Sequence, residues 1–151
     1  MAAGGRPERI AIDRDDFAAE HVGHTADGRQ FFLTTPFVPG EYGTDTSREF
    51  VALYLFDPDG RFVGAEIDAL GSRERLDDRE ADRAYRARLR QLGKVTFDRI
   101  EIEPFSVERH GRTFGLIVHE PEGPDDRWWV TAEPGDYMAF SEPWDGGGYD
   151  T

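Results

Sequence analysis

The sequence is most informative between residues 48 and 60, which read Arg48-Glu49-Phe50-Val51-Ala52-Leu53-Tyr54-Leu55-Phe56-Asp57-Pro58-Asp59-Gly60. Apolar side chains occupy both sets of alternating positions in the first nine residues, so the segment predicts a central strand that is covered on both faces. The last four residues have the composition of a tight turn. Residues 61–70 are therefore expected to return as the antiparallel partner, with Leu53 and Leu55 in the core.

A long helix is predicted over about residues 72–92. Apolar residues recur there at helical spacing, Ser72 is a preferred N-cap, and Gly93 is a preferred stop. The apolar stripe is narrow, so the helix is expected to lie on the sheet with one face in water. Its second half is locally basic, which fits either the helix dipole or a partner-binding patch. The arginines concerned are Arg83, Arg86, Arg88 and Arg90.

The rest of the chain alternates short strand patterns with turn residues. In total, the patterns predict six to eight strands, mostly joined by tight turns, and the one long helix. These elements indicate an α+β fold in which the helix packs on an antiparallel, meander-like sheet. A length of 151 residues is typical of a single domain, here residues 1–151. Residues 1–8 are expected to be frayed, and residues 141–151 are expected to dock on the fold.

Composition excludes several classes of protein. The chain has no cysteine, which excludes disulfide frameworks, thiolate zinc sites and cysteine nucleophiles. No apolar run approaches the roughly 18 residues of a membrane-spanning helix, and no signal-peptide pattern is present. A cytoplasmic protein without membrane contact is therefore expected.

The net charge of the chain indicates which kinds of partner it could bind. There are 18 basic and 31 acidic residues, which gives a net charge of −13. A field of this sign repels phosphate backbones and argues against direct nucleic acid binding. It would speed the encounter with a protein partner that carries a basic surface. The other interpretation is that the negative charge only keeps the protein soluble.

The sequence lacks the motifs of common enzymes, such as a nucleophile elbow, a Walker loop or a zinc-protease helix. His21 and His24 are three residues apart in a strand pattern, which places them on opposite faces and not around one metal ion. The turn at residues 57–60 has its glycine in the fourth position, whereas an EF-hand calcium loop needs it in the sixth. We therefore predict no catalytic, cofactor-binding or metal-binding residue.

Two pairs of carboxylates are expected to share a strand face. Paired carboxylates can perform acid–base chemistry, but a solvated sheet face is the other interpretation, and no third group is placed beside either pair. His119 next to Glu120, at the end of another strand, forms no metal-binding pattern either. The two pairs are Glu66 with Asp68 and Glu101 with Glu103.

All three tryptophans lie in the last two dozen residues, in a strongly acidic segment. Disordered tails are poor in aromatic residues, so this segment is expected to be ordered. Tryptophan is favoured both as an interface anchor and as core, and the sequence leaves both interpretations open. The predicted partner-binding residues are Trp128, Trp129, Trp144, Asp125, Asp126, Glu142, Asp145 and Tyr149.

Several segments resemble one bacterial family. They are Gly28-Arg29-Gln30-Phe31-Phe32, Tyr54-Leu55-Phe56-Asp57-Pro58-Asp59-Gly60, Phe114-Gly115-Leu116-Ile117, Phe140-Ser141-Glu142-Pro143-Trp144-Asp145 and Tyr149-Asp150-Thr151. The chain is similar in these segments to the formate hydrogenlyase regulatory proteins, although its three glycines before the final tyrosine are a departure. The resemblance implies a small, non-enzymatic regulatory protein with no cofactor. Without a helix-turn-helix pattern, such a protein is expected to act by contacting another protein.

Three functions therefore remain open. The first is an acidic regulatory or adaptor protein that binds a protein partner with a basic surface. The second is an immunity-type protein that neutralises a basic toxin. The third is a small-ligand-binding domain or an enzyme that uses the sheet carboxylates.

Overall fold

The computed structural model describes residues 5–151, and residues 1–4 lie outside the described part of the chain. Twelve strands and one α-helix form within the described part. The helix, α1, spans Asp78–Gln91. In chain order the strands are β1 (Ile10–Ile12), β2 (His21–Thr25), β3 (Gln30–Thr34), β4 (Phe37–Val38), β5 (Arg48–Phe56), β6 (Phe62–Gly71), β7 (Val95–Phe97), β8 (Ile100–Ile102), β9 (Phe105–Arg109), β10 (Arg112–His119), β11 (Trp129–Glu133) and β12 (Ala139–Phe140).

The strands form three antiparallel sheets. In the largest, β5 pairs with β3 and β4 along one edge and with β6 along the other, and β2 and β7 follow β3. The second sheet has the order β12-β11-β10-β9, and the third consists of β1 and β8. The predicted hairpin of β5 and β6 is confirmed, with β5 inside the sheet and β6 at its edge.

Both faces of β5 are covered, as its sequence predicted. Phe50 and Tyr54 face the main core, which lies between the largest sheet and the four-stranded sheet. Val51 and Leu53 face a second core beneath α1, and the partly buried Leu55 packs against that core. The protein therefore has three layers, with α1, the largest sheet and the four-stranded sheet stacked in that order. The α+β class expected from the sequence is confirmed.

The helix begins later than predicted. Arg73–Arg75 forms a separate 3-10 turn, after which Leu76 is extended with φ −66° and ψ 126°. Asp77 caps α1 because its carboxylate accepts a backbone N–H of the first turn, whereas Ser72 makes no such bond. The helix ends as predicted, before Gly93, whose φ of 72° few other residues adopt.

The number of strands exceeds the six to eight that the patterns predicted. The difference comes from short strands, since β1, β4 and β7 have only two or three residues each. Alternation of polar and apolar residues needs about four positions to be visible. These short strands form because they pair with neighbouring strands, and their own sequences carry no visible alternation.

The turn between β5 and β6 has the predicted construction. The Asp57 carbonyl accepts the N–H of Gly60 at 2.9 Å, and the Asp57 carboxylate accepts the N–H groups of Asp59 and Arg61 at 2.9 Å each. Gly60 has φ 90°, and a Cβ there would lie 2.4 Å from the carbonyl oxygen of Glu101. The Asp57 carboxylate is therefore committed to shaping a hairpin turn.

The carboxy-terminal segment, residues 141–151, lies against the fold. Ala139 and Asp150 exchange two backbone hydrogen bonds of 2.8 Å, and the N–H of Ala11 donates to the carbonyl of Trp144 at 2.9 Å. The segment thereby joins β12 to β1, which are far apart in the sequence.

Candidate functional site

The predicted partner-binding residues fall in more than one place on the surface. Trp129 and Asp126 line an open cleft where β10 ends and β11 begins. Trp144 and Glu142 line a larger cleft, and Tyr149 lines a third. The eight residues therefore do not form one site. The other three are Asp125 and Asp145, which are exposed, and Trp128, which is half-buried.

Two of the predicted aromatic residues support the core. Trp144 and Tyr149 are half-buried and pack against the main core. The Tyr149 hydroxyl donates to the Asp15 carboxylate and accepts the N–H of Ala18 at 3.1 Å. Burial, followed by the bond to Asp15, raises the pKa of Tyr149 to about 12, so the hydroxyl stays neutral. These two residues hold residues 141–151 on the fold.

The cleft lined by Trp144 carries mixed charge. Its volume is about 1040 Å³, and it is formed by the amino-terminal residues together with the carboxy-terminal segment. Pro7 within it is buried, although residues 1–8 were expected to be frayed. Because arginines alternate with acids, this cleft offers no single sign of charge to a partner. The charged lining residues are Arg6, Glu8, Arg9, Glu103 and Glu142.

The cleft where β10 ends and β11 begins has both aromatic and acidic residues in its lining. It is open to solvent and has a volume of about 610 Å³. We call it the acidic cleft. Its lining residues are Val118, His119, Glu120, Pro121, Glu122, Asp126 and Trp129.

The wall of the acidic cleft is a stacked pair of rings. His119 and Trp129 are directly opposite each other in the register of β10 and β11. Their ring centroids are 4.4 Å apart and their planes are inclined by 29°. Trp129 remains 38% exposed, whereas the next residue, Val130, is fully buried. The stack thus presents a flat, apolar surface to solvent.

A chain of hydrogen bonds fixes the His119 ring. The hydroxyl of the buried Thr131 donates to the Glu133 carboxylate at 2.6 Å. That hydroxyl has only one proton, so it accepts from the Nε2–H of His119, which lies 2.8 Å away. The imidazole is therefore held by an Nε2–H···O bond that sets the plane against which Trp129 stacks.

The acidic rim of the cleft is a structured loop. The Asp126 carboxylate accepts the N–H of Glu122 at 3.0 Å and the N–H of Arg127 at 2.8 Å. These two N–H groups lower the pKa of the Asp126 carboxyl, which therefore stays ionised. Glu120, Glu122 and Asp125 are exposed beside it in the sequence, and Arg127 is the only basic residue between positions 120 and 127. The rim therefore carries a net negative charge.

The carboxylates of β6 belong to an ion-pair network. The Arg88 guanidinium donates to both oxygens of Asp68 at 2.8 Å and to Glu66 at 2.6 Å. Asp68 first, and then Glu66, raise the pKa of Arg88 despite its partial burial. The pair of acids that the sequence offered for acid–base chemistry therefore ties α1 to the sheet. Of the second pair, Glu101 lies 3.6 Å from the Arg99 guanidinium.

The two histidines of β2 lie apart, as strand geometry requires. His21 contacts Tyr85 of α1, and its ring centroid is 5.2 Å from that of the tyrosine. His24 instead lies 2.6 Å from the Asp98 carboxylate. Among residues 5–151, no group of three or more His, Cys, Asp or Glu side chains could hold a metal ion.

Sequence reasoning missed part of the acidic cleft. His119 was considered only as a metal ligand, and Thr131 was not considered at all. A cross-strand register would have revealed both, because His119 is opposite Trp129 only if β10 and β11 pair with their observed offset. The adjacent Glu120 and Glu122 could have been grouped with the predicted acids on charge alone.

The fold and the cleft define the class: an acidic α+β protein with an open cleft that has an aromatic wall and an acidic rim. Within the described residues, no helix has the length and apolar character needed to cross a bilayer. Comparison of the chain with protein-family models, with curated proteins and with solved structures gives no match.

Proposed function

We propose that this chain is a non-enzymatic regulatory or adaptor protein that binds a basic segment of a protein partner in the acidic cleft. The observation that carries the proposal is the exposed stack of His119 and Trp129 beside a rim of acids. An indole face attracts the guanidinium of arginine and the ammonium of lysine. Carboxylates around that face supply both steering and charge-assisted hydrogen bonds.

The acidic cleft is already ordered before binding, which reduces the conformational entropy that binding would lose. The Thr131 hydroxyl donates to Glu133 and accepts from His119, and these two hydrogen bonds fix the stack before any partner arrives. Binding a side chain against a fixed aromatic surface loses less conformational entropy than ordering a mobile one. Tryptophan is also among the residues that most often carry binding energy at protein interfaces.

Of the other two functions that the sequence left open, the immunity-type function is compatible with the acidic cleft, and the catalytic function is not supported. An immunity-type protein that masks a basic toxin would use the same acidic rim, so the identity of the partner separates it from a regulator. A catalytic role for Glu66 and Asp68 is disfavoured because Arg88 already engages both carboxylates. Direct binding to nucleic acid is opposed by the net charge of −13.

The test is a binding experiment with matched variants. A partner isolated from the native host on immobilised protein would be purified, and its association and dissociation rates measured at low and high salt. The cleft variant combines Glu120→Gln, Glu122→Gln and Asp125→Asn. Asp126 stays in place because it shapes the loop.

The control variant makes the same charge change elsewhere, with Glu41→Gln, Glu80→Gln and Asp136→Asn, all of which are exposed. The cleft variant is expected to associate about tenfold more slowly than the control at low salt. Duplex DNA is expected to show no binding. Equal association rates for the two variants, or tight binding of DNA, would contradict the proposal.

A further inference from the structure

A separate, smaller cleft lies where residues 17–20, the end of β3 and α1 meet. Its volume is about 240 Å³. This is below the roughly 300–1,000 Å³ of pockets that enclose drug-sized ligands, so it suits a small chemical group. None of the predicted partner-binding residues lines it. We call it the Phe17 cleft.

Three aromatic residues line the Phe17 cleft: Phe17, Tyr85 and Tyr137. Phe17 is 72% exposed, although it is a large apolar residue. The Tyr85 hydroxyl is hydrogen-bonded to His21, and the Tyr137 hydroxyl accepts from Thr34 at 3.3 Å. Burial raises the pKa of both tyrosines, so neither becomes a phenolate. The cleft therefore has neutral aromatic walls, two of which are held in place by hydrogen bonds.

The same cleft has one carboxylate, that of Glu20. The Nδ1 of His21 is 3.6 Å from it, but burial lowers the pKa of His21 more than Glu20 raises it. The imidazole is therefore neutral at neutral pH and does not form an ion pair with Glu20. The nearby Arg14 guanidinium pairs with Asp16 at 3.2 Å and donates only to the backbone carbonyl of Glu20, at 3.3 Å.

We propose that the Phe17 cleft binds the trimethylammonium group of a small organic cation such as choline. A quaternary ammonium ion cannot donate a conventional hydrogen bond, and it is bound by the faces of several aromatic rings. Three aromatic residues and one carboxylate line the cleft, so it offers such a ligand aromatic surface together with a negative charge. The net charge of −13 also raises the local concentration of cations at the surface. A neutral or anionic ligand of the same size would gain neither attraction.

The test is a titration followed by NMR of the backbone amides. Choline is the cationic probe, and 3,3-dimethylbutanol, which has the same shape without the charge, is the neutral probe. Choline is expected to shift the amides of residues 17–20 and of Tyr85, with an affinity about tenfold above that of the neutral probe. Equal affinities, or shifts located elsewhere on the protein, would overturn the proposal.

Variants at exposed positions sharpen the test without threatening the fold. Phe17→Ala is expected to weaken choline binding by about two- to fivefold, and Glu20→Gln by about fivefold. The matched controls are Tyr42→Ala and Glu41→Gln, which remove an exposed aromatic ring and an exposed charge outside the cleft, and they are expected to change nothing. Unchanged affinity in Phe17→Ala and Glu20→Gln would also overturn the proposal.

A second arm of the titration identifies the source of the cation. Phosphatidylcholine vesicles carry the same trimethylammonium group on a lipid headgroup. A free small molecule is the expected ligand, so choline is expected to bind and the vesicles are not. Binding to the vesicles with no binding of choline would contradict the assignment to a free cation.

Discussion

His119 and Trp129 are opposite one another at the ends of β10 and β11, and their ring centroids are 4.4 Å apart. The stack exists because antiparallel pairing brings together two residues that are ten positions apart in the sequence. On the side away from solvent, the His119 ring is held through the hydroxyl of the buried Thr131, which accepts from His119 and donates to Glu133. The other side of the stack is open to solvent and has acidic residues around it, an arrangement suited to a cationic side chain.

The two-sided burial of β5 predicts a large effect of a core substitution. Leu53 is fully buried beneath α1, so Leu53→Ala is expected to lower the free energy of unfolding by about 2–5 kcal/mol. Chemical denaturation measures this loss. The matched control is Val63→Ala on β6, where the side chain is 56% exposed and the expected loss is below about 1 kcal/mol. A similar small loss in both variants would mean that β5 is not covered on its helix side.

The ion-pair network of Arg88 predicts a difference between two arginines of the same helix. Arg88→Ala leaves Glu66 and Asp68 adjacent without a counter-charge, and it is expected to cost about 1–2 kcal/mol of unfolding free energy. Arg86→Ala breaks only an exposed pair with Asp82, one turn away, and is expected to cost about 0.3–0.5 kcal/mol. Denaturation of the two variants side by side is the measurement. Equal losses would show that the network does not tie α1 to the sheet.

The contact between Asp15 and Tyr149 predicts a pH dependence of stability. Burial tends to raise the pKa of Asp15, but the hydrogen bonds from Tyr149 and from two backbone N–H groups outweigh it and lower the pKa from 3.8. A carboxylate with a lowered pKa contributes stability that is present above its unfolded pKa of 3.8 and is lost as the pH falls through the folded value.

Tyr149→Phe removes one of these hydrogen bonds and is therefore expected to reduce the loss of stability between pH 7 and pH 3. Unfolding free energies at the two pH values measure the effect. Tyr42→Phe, at a fully exposed position, is the control and is expected to behave like the wild type. A Tyr149→Phe variant with unchanged acid sensitivity would show that this bond does not hold the carboxylate in its ionised form.

The position of the carboxy-terminal segment predicts that it contributes to stability. Deletion of residues 141–151 removes the Asp150 bonds to Ala139 and the partly buried Trp144 and Tyr149. The melting temperature is expected to fall by roughly 5–10 °C. Thermal denaturation followed by circular dichroism provides the measurement, and the single substitution Trp144→Ala is expected to give part of the same decrease. An unchanged melting temperature in both would mean that the segment is not held by these contacts.

Much of the fold was accessible from the sequence, because local patterns specify it. Residues 48–56, which are apolar at both sets of alternating positions, identified β5 and its burial on two faces, and the turn residues at 57–60 identified the hairpin. The start of α1 was not accessible, since Ser72 and Asp77 are both good N-caps and only the extended Leu76 between them decides which one is used. The short strands β1, β4 and β7 were missed because they pair only in the context of the whole fold.

The candidate site was only partly accessible, because it depends on contacts between distant residues. The sequence grouped Trp129 with Trp144 and Tyr149, yet the last two residues support the core. Asp15 and Tyr149 are 134 positions apart, and no local pattern indicates their hydrogen bond. The register of β10 and β11 likewise decides that His119 joins Trp129. The resemblance to formate hydrogenlyase regulatory proteins stays a prediction.

We propose that the acidic cleft binds a basic protein segment, with acidic residues that steer the partner and a tryptophan that anchors it. The most direct measurement is the kinetics of partner binding for Trp129→Ala and for the cleft variant with Glu120→Gln, Glu122→Gln and Asp125→Asn. We expect Trp129→Ala to raise the dissociation rate by about thirtyfold at a nearly unchanged association rate. The cleft variant should instead lose most of the salt dependence of association. A partner that binds both variants with wild-type rates at every salt concentration would contradict the account.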